Sequence, residues 1–256
     1  MTKMTNHSPD TIHIITIKWG PKYESEEVNS LFKSIQNHTS LPVSFHCFTD
    51  NPSGLDAHIQ KHPLPKIDLI PTISKTYQKE AGLTNIPALK GKRVFFFDID
   101  VAIVGTLDSL FTLPQKDEFW ITRDWNHRFK KVGQASFFSY VVGSNTFVYD
   151  HFIKNQAAIK KKYGTACQEY LTDQMAQHHN LHFFPKDAIV SFKHHCLPIW
   201  PLRFFKTADI PPKAKIVCFH GDPKIGHAAR GEWSTPRPPL LKRIYKSFKP
   251  VPWLAK

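Results

Sequence analysis

Asp98 and Asp100 stand two positions apart at the end of Arg93-Val94-Phe95-Phe96-Phe97, a run that is apolar from Val94 onward. Carboxylates at that spacing on an extended chain point to the same side. They repel each other unless a cation lies between them or one takes a proton. Hard oxygen donors suit Mg2+ or Mn2+, ions that also grip phosphates. The bland reading is a strand running into a polar turn. Acidic residues are poor strand formers, however, and the tip of a parallel strand is where α/β proteins deliver ligands, so the metal is the better expectation. A second apolar run, Ile216-Val217-Cys218-Phe219, ends in His220-Gly221-Asp222-Pro223-Lys224. An imidazole nitrogen joined to two carboxylates is compatible with Mn2+ and leaves room for phosphate oxygens. Gly221 permits close backbone approach to a ligand, and Lys224 offers a point charge for a diphosphate. Taken alone, His220 reads equally well as a surface histidine in a turn.

The elements that must position these groups follow from hydrophobic periodicity. Ile12 to Ile17 reads as a first strand, Glu24 to Gln36 as an amphipathic helix and Val43 to Thr49 as a second strand. That βαβ opening predicts a parallel sheet with helices on its faces. Pro63 to Ile70 reads as a short third strand, and the chain from there to Leu89 as helical. Downstream, Phe119 to Thr122 is a strand and Arg123 to Gln134 a polar loop. Phe137 to Val142 and Thr146 to Tyr149 flank Gly143-Ser144-Asn145, a turn buried in apolar sequence. Helices are expected over His151 to Lys162 and Cys167 to His178, and further strands over Leu181 to Phe184, Ile189 to Phe192 and Ile216 to Phe219. Strands dominate the middle, so the expected architecture is α/β with a mixed, mostly parallel central sheet flanked by helices.

Composition narrows the class. With 256 residues, 41% of them hydrophobic, the chain can bury one sizeable core. The expected division is a disordered segment over 1–10, one domain over 11–235, and a basic, Pro-rich tail over 236–256. No apolar run is long enough to span a bilayer, and the first ten residues lack an apolar signal core. Cys47, Cys167, Cys196 and Cys218 are scattered, which suits a reduced cytoplasmic protein. A formal charge of +13 favours an anionic partner. Leu240 to Lys249 interleaves basic and apolar side chains, so an anionic membrane surface is one expected partner, against an ordinary packed helix.

Four blocks in order give the chain a specific likeness. The apolar strand ending in Asp98-Ile99-Asp100-Val101, with Leu107 and Leu110 following, is similar to the DxD region of GT-A glycosyltransferases, nearest to the retaining family 8 type. Ser144-Asn145-Thr146 resembles that family's Asn-Ser/Ala-Gly turn. Tyr170-Leu171-Thr172-Asp173-Gln174 resembles its helical Asp-Gln pair, and Val217 to Lys224 its His-Phe-x-Gly-x-x-Lys block. The opening, Ile17 to Tyr23 with Cys47-Phe48-Thr49-Asp50, also resembles bacterial members. The resemblance implies sugar transfer from a nucleotide diphosphate sugar, most simply a UDP-sugar, to a glycan or lipid-linked acceptor. It implies that Asp98, Asp100 and His220 hold Mn2+ or Mg2+ on the diphosphate, assisted by Lys224 and Gly221. It further implies that Asn145, Asp173 and Gln174 line the sugar pocket, that Ile99 lies along the donor, and that Gln174 sits opposite the leaving group. Trp19 or Tyr23 would stack on a base, or serve as core aromatics. Lys79 and Arg93 would reach phosphates, or act only as surface charge. Arg123, His127 and Arg128 would fold over donor or acceptor.

Two rival classes exist. A haloacid-dehalogenase phosphatase also carries a DxD at a strand end, but it begins with the motif, whereas nearly a hundred residues precede it here. A basic nucleic-acid binder is disfavoured, because no helix-turn-helix, zinc or RNP-type signature appears. A non-catalytic transferase relative is the remaining expectation, since Ile225-Gly226 stand where the family has Pro-Trp.

Overall fold

The central strands form because their residues alternate between two buried faces. In β1 (Ile12–Lys18), Ile14 packs on one side of the sheet and Ile15 and Ile17 on the other. In β4 (Arg93–Phe97), Phe95 and Phe97 join the first side, and Val94 and Phe96 the second. In the computed structural model, residues 11–127, 130–233 and 247–254 are described. Helix α1 (Ser25–Asn37) starts with a capping box between Glu24 and Glu27 and buries Val28, Leu31, Phe32 and Ile35 against the first side. It leads into β2 (Val43–Thr49) and β3 (Gln60–His62). Short helices α2 (Tyr77–Glu80) and α3 (Asp108–Phe111) flank β4 and β5 (Val101–Ile103). Then come β6 (Phe119–Arg123), β7 (Gly133–Val141), α4 (Thr146–Tyr163) and α5 (Cys167–Gln177). Strands β8 (Leu181–Phe183), β9 (Ile189–Ser191) and β10 (Ile216–Cys218), and the turn of helix α6 (Ile225–Ala229), complete the order.

The main sheet has seven strands in the order β3-β2-β1-β4-β7-β6-β8, and a second sheet runs β5-β10-β9. Strands β1, β2, β3 and β4 are mutually parallel, while β7 runs antiparallel to both β4 and β6. The expected mixed α/β sheet with flanking helices is therefore observed. No described helix is long and apolar enough to cross a membrane.

Three local expectations are corrected. The third strand is Gln60–His62, and 63–70 carries no regular structure. Pro63 and Pro65 lack the N–H that a strand there would donate. The polar loop ends at Lys131–Val132, because β7 begins at Gly133. Helix α4 begins at Thr146, five residues before the expected start at His151. Phe147, Val148 and Tyr149 alone fit either period, and the helical spacing of Val148 and Phe152 decides it. Of the basic tail, 236–246 and 255–256 lie outside the described residues, as do 1–10 and Arg128. Phe248 and Val251 are buried in a third core cluster with Phe192 and Phe219.

Across β1, β2 and β3, three histidines form a ladder. The Nε2 of His46 lies 3.2 Å from His13 Nδ1, and its Nδ1 lies 3.0 Å from His62 Nε2. His46 is 2% exposed. Burial, with His62 and His13 beside it, pulls its pKa down to about 4. The unfolded chain takes up a proton below about pH 6.5 that the folded protein refuses until about 4. Stability is therefore full above that window and falls as the pH drops through it. Thermal melts between about pH 7.5 and about 5 should show this loss, and His46→Gln should flatten part of the slope. A wild-type melting temperature independent of pH over that range would contradict the account.

Candidate active site

The cleft forms where the C-terminal ends of β1 and β4 meet the second sheet. Parallel pairing of β1 with β4 puts Trp19, Lys22 and Tyr23 beside Asp98 and Asp100. The downstream group arrives through β10, which pairs antiparallel with β5, and the Phe219 N–H donates to the Asp100 carbonyl at 3.0 Å. That single pairing carries His220, Gly221 and Lys224 into the same cavity, about 520 Å³ in volume. Gly221 has φ +74°, a left-handed backbone that favours glycine.

Two lysines hold the carboxylates. Lys79 Nζ lies 3.1 Å from Asp98 and 3.2 Å from Glu80, and also donates to the Ala135 carbonyl. Lys224 Nζ lies 2.5 Å from Asp100, which also accepts from the Tyr23 hydroxyl at 2.7 Å. Burial raises the pKa of Asp98, Lys79 opposes that, and the neighbouring Asp100 adds to it. Glu80 is likewise raised by burial, and its Oε2 has no hydrogen-bond partner. Burial alone would lower the pKa of Lys79, but Asp98 and Glu80 outweigh it and drive the pKa up. Burial also pushes up the Tyr23 phenol, reinforced by Asp100.

His220 stacks between Trp125 (5.1 Å between ring centroids) and His194 (5.8 Å). Its Nε2 lies 2.7 Å from Ser191 Oγ. Burial, then Lys193 and His194, lower its pKa to about 4, so the ring is neutral at pH 7. Beyond this stack lies a second cavity of about 930 Å³, bounded by Trp125, Arg123, Lys186, Lys213, His194 and His195.

The donor types fit a divalent ion: two carboxylates and a neutral imidazole share one cleft, and a buried carboxylate oxygen is left without a partner. They are not converged, however. Among the described residues, no three His, Cys, Asp or Glu side chains stand together as a metal site. The lysines occupy the carboxylate oxygens that an ion would need.

Of the residues expected at the site, Trp19, Tyr23, Lys79, Asp98, Ile99, Asp100, His220, Gly221 and Lys224 line the cleft. Others lie elsewhere. Arg93 sits at the opposite end of β4, where its guanidinium donates to the Glu118 carbonyl and Ser139 Oγ. Asn145 follows the end of β7, whose Val141 pairs with Arg93, so it too is at the far end, bonded to Ser144 and Asn180. Asp173 points outward to Tyr163 and Lys162, and Gln174 is buried without lining the cavity. Arg123 borders the larger cavity, and His127 bonds Asp124.

In their place the cleft receives Lys22, Gln134, Ser136 and Gln168. Strand β7 enters at the cleft and leaves at the far end, so its first residues face the site and the turn after it does not. Gln134 and Ser136 alternate onto the same side, a signal readable once β7 is known to start at Gly133. The first turn of α5 points at the cleft, which places Gln168 there. Asp173 lies five residues along, about 7–8 Å down the helix axis.

Neither a protein-family model nor a curated protein sequence matches the chain. Solved structures do. A complex of the galactosyltransferase LgtC with donor and acceptor sugar analogs aligns with TM-score 0.56 and 13% identity, covering 84% of this chain and 90% of that one. An active-site mutant of LgtC aligns with TM-score 0.57 and 13% identity, covering 91% of this chain and 100% of that one. The apo bifunctional glycosyltransferase WbbM gives TM-score 0.55 and 11% identity over 88% of this chain, and 48% of its own length is covered. The chain thus has the GT-A fold that these glycosyltransferases share.

Removing Lys79 would leave two buried carboxylates uncompensated. Lys79→Met should cost about 3–5 kcal/mol in denaturant unfolding. Adding Glu80→Gln should recover part of that loss. A Lys79→Met protein as stable as wild type would show that the ion pairs carry no weight.

Proposed function

We propose that this protein is a hexosyltransferase that moves a sugar from a nucleoside diphosphate sugar, a UDP-sugar in the first instance, to a glycan or glycolipid acceptor. The observation that carries the proposal is the meeting of Asp98, Asp100, His220, Gly221 and Lys224 in one cleft of a GT-A fold. The neighbouring LgtC structure was described with donor and acceptor sugar analogs, which supports two sugar subsites here.

Asp98, Asp100 and His220 would hold Mn2+ or Mg2+, which when bound would stabilise the leaving diphosphate as negative charge grows on it. Lys224 and Lys22 supply protein cations for the same oxygens, and the Gly221 backbone can approach them closely. Lys79 fixes the orientation of Asp98 by pairing with it. Trp19 and Tyr23 offer aromatic faces for the base.

Gln168, at the start of α5, lines the cleft where Gln174 does not, and would take the role opposite the leaving group. An amide there can orient sugar hydroxyls but is a poor nucleophile. Retention rests on the resemblance to family 8; given retention, attack by the acceptor from the leaving-group side suits an amide better than a covalent intermediate does. The larger cavity, reached past the Trp125–His220 stack, suits the acceptor because an aromatic face and several polar groups border it. The phosphatase reading has less support, since the fold is shared with glycosyltransferases.

The test is release of UDP from a panel of UDP-hexoses, with and without a glycan acceptor. Turnover should require Mn2+ or Mg2+ and vanish in EDTA. Asp100→Asn should lower kcat by at least about 10²-fold. Gln168→Ala should cost about tenfold or more in kcat with little change in nucleotide affinity. Asp173→Ala should leave both parameters near wild type. Full turnover in EDTA, or hydrolysis of simple phosphate esters in place of sugar nucleotides, would overturn the proposal.

A further inference from the structure

A cluster of exposed apolar side chains lies in one short loop. Ile199 is 74% exposed, Trp200 52%, Leu202 43% and Phe205 75%. Among the described residues, Ile153 is the one other large apolar side chain that is exposed, and only to 36%. Such side chains are normally scattered singly, so a group of four within seven residues calls for a partner.

The loop is held in shape. Its base closes where the Asp209 N–H donates to the Cys196 carbonyl, and Leu197 and Ala208 are buried in the third core cluster. A helical turn at Leu202–Phe204 forms the tip. Arg203 Nε donates to the Pro198 carbonyl at 3.2 Å, and Lys249 Nζ donates to the Phe205 carbonyl at 2.9 Å. The apolar side chains are therefore presented by a fixed backbone.

The surrounding charge identifies the partner. Arg203, Lys206 and Lys249 lie within or against the loop, and the whole chain carries +13. Trp and Phe among Lys and Arg are suited to the boundary between lipid headgroups and acyl chains. The rings enter the apolar layer while the cations meet acidic headgroups. A dry protein interface would instead favour fewer lysines around its apolar core.

We propose that 199–206 is a membrane-docking loop that inserts Ile199, Trp200, Leu202 and Phe205 into the interface of an anionic lipid bilayer. The loop lies directly after the turn carrying His194 and His195, which border the larger cavity and, through His194, stack on His220. Docking here holds that cavity's rim close to the lipid surface. On the transferase reading, this favours an acceptor carried on lipid. Docking itself does not depend on that reading.

The test is co-sedimentation of the full chain with vesicles of phosphatidylcholine alone and with roughly 30% phosphatidylglycerol added, at low and physiological salt. The wild type should bind the anionic vesicles, and weaken with salt. Trp200→Ser combined with Phe205→Ser should lower the vesicle partition coefficient by about tenfold or more, with an unchanged thermal melt and unchanged UDP-sugar turnover on a water-soluble acceptor. Arg203→Glu combined with Lys206→Glu should lower it further on anionic vesicles. No binding by the wild type, or equal binding by the Trp200/Phe205 variant, overturns the proposal. A wild-type dimer in solution that this variant dissociates, without vesicle binding, would assign the loop to a second copy of the chain. Loss of turnover with vesicle binding intact would bear on the transferase reading alone.

Discussion

The site depends on a knot of opposite charges at the tip of β4. Three carboxylates, Glu80, Asp98 and Asp100, crowd into a mostly buried space, and Lys79 and Lys224 keep them there. Taking such groups out of water is costly, and only close pairing makes it tolerable. The pairing is incomplete, since one oxygen of Glu80 has no partner and burial raises the pKa of both Glu80 and Asp98. Burial thus leaves the carboxylates at the strand tip imperfectly compensated. A ligand set that brings cation and phosphate together would relieve that imbalance, and Lys224, which now pairs with Asp100, would be free to meet the phosphate.

The second sheet makes the knot useful. Without β10 lying along β5, His220, Gly221 and Lys224 would be more than a hundred residues away from the acidic pair in sequence and unrelated to it in space. The backbone bond from Phe219 to Asp100 fixes their separation. The same arrangement places Trp125 and His194 on either side of His220 and so divides the small cleft from the larger cavity. On the proposed reading, a donor subsite and an acceptor subsite would meet at that imidazole.

Much of this was legible in the residues. The run Val94 to Phe97 is buried on both faces and stops at Asp98, as its composition requires, and both strand-end motifs reach the cleft. What failed were positions that depend on chain direction. Asn145 and Arg93 carry suitable chemistry but sit at the wrong end, because β7 runs antiparallel to β4 and only pairing reveals that. Asp173 and Gln174 lie on the right helix but too far along it. An Asp-Gln pair looks the same at either end of a helix, whereas Gln168 is marked only by its place in the first turn. The lysine pairing was invisible for the same reason: Lys79 is distant in sequence from Asp98, and nothing local in its segment announces a buried ion pair.

The central claim is that the acidic tip of β4 and the imidazole from β10 act as one diphosphate-binding unit. The most direct measurement is calorimetric titration of UDP into the protein in Mn2+ and in EDTA, repeated with His220→Ala. The account predicts that Mn2+ tightens UDP binding by at least about tenfold, or about 1.4 kcal/mol, and that His220→Ala removes most of that gain. Equal affinity in Mn2+ and EDTA, or an undiminished metal effect in the His220 variant, would contradict it.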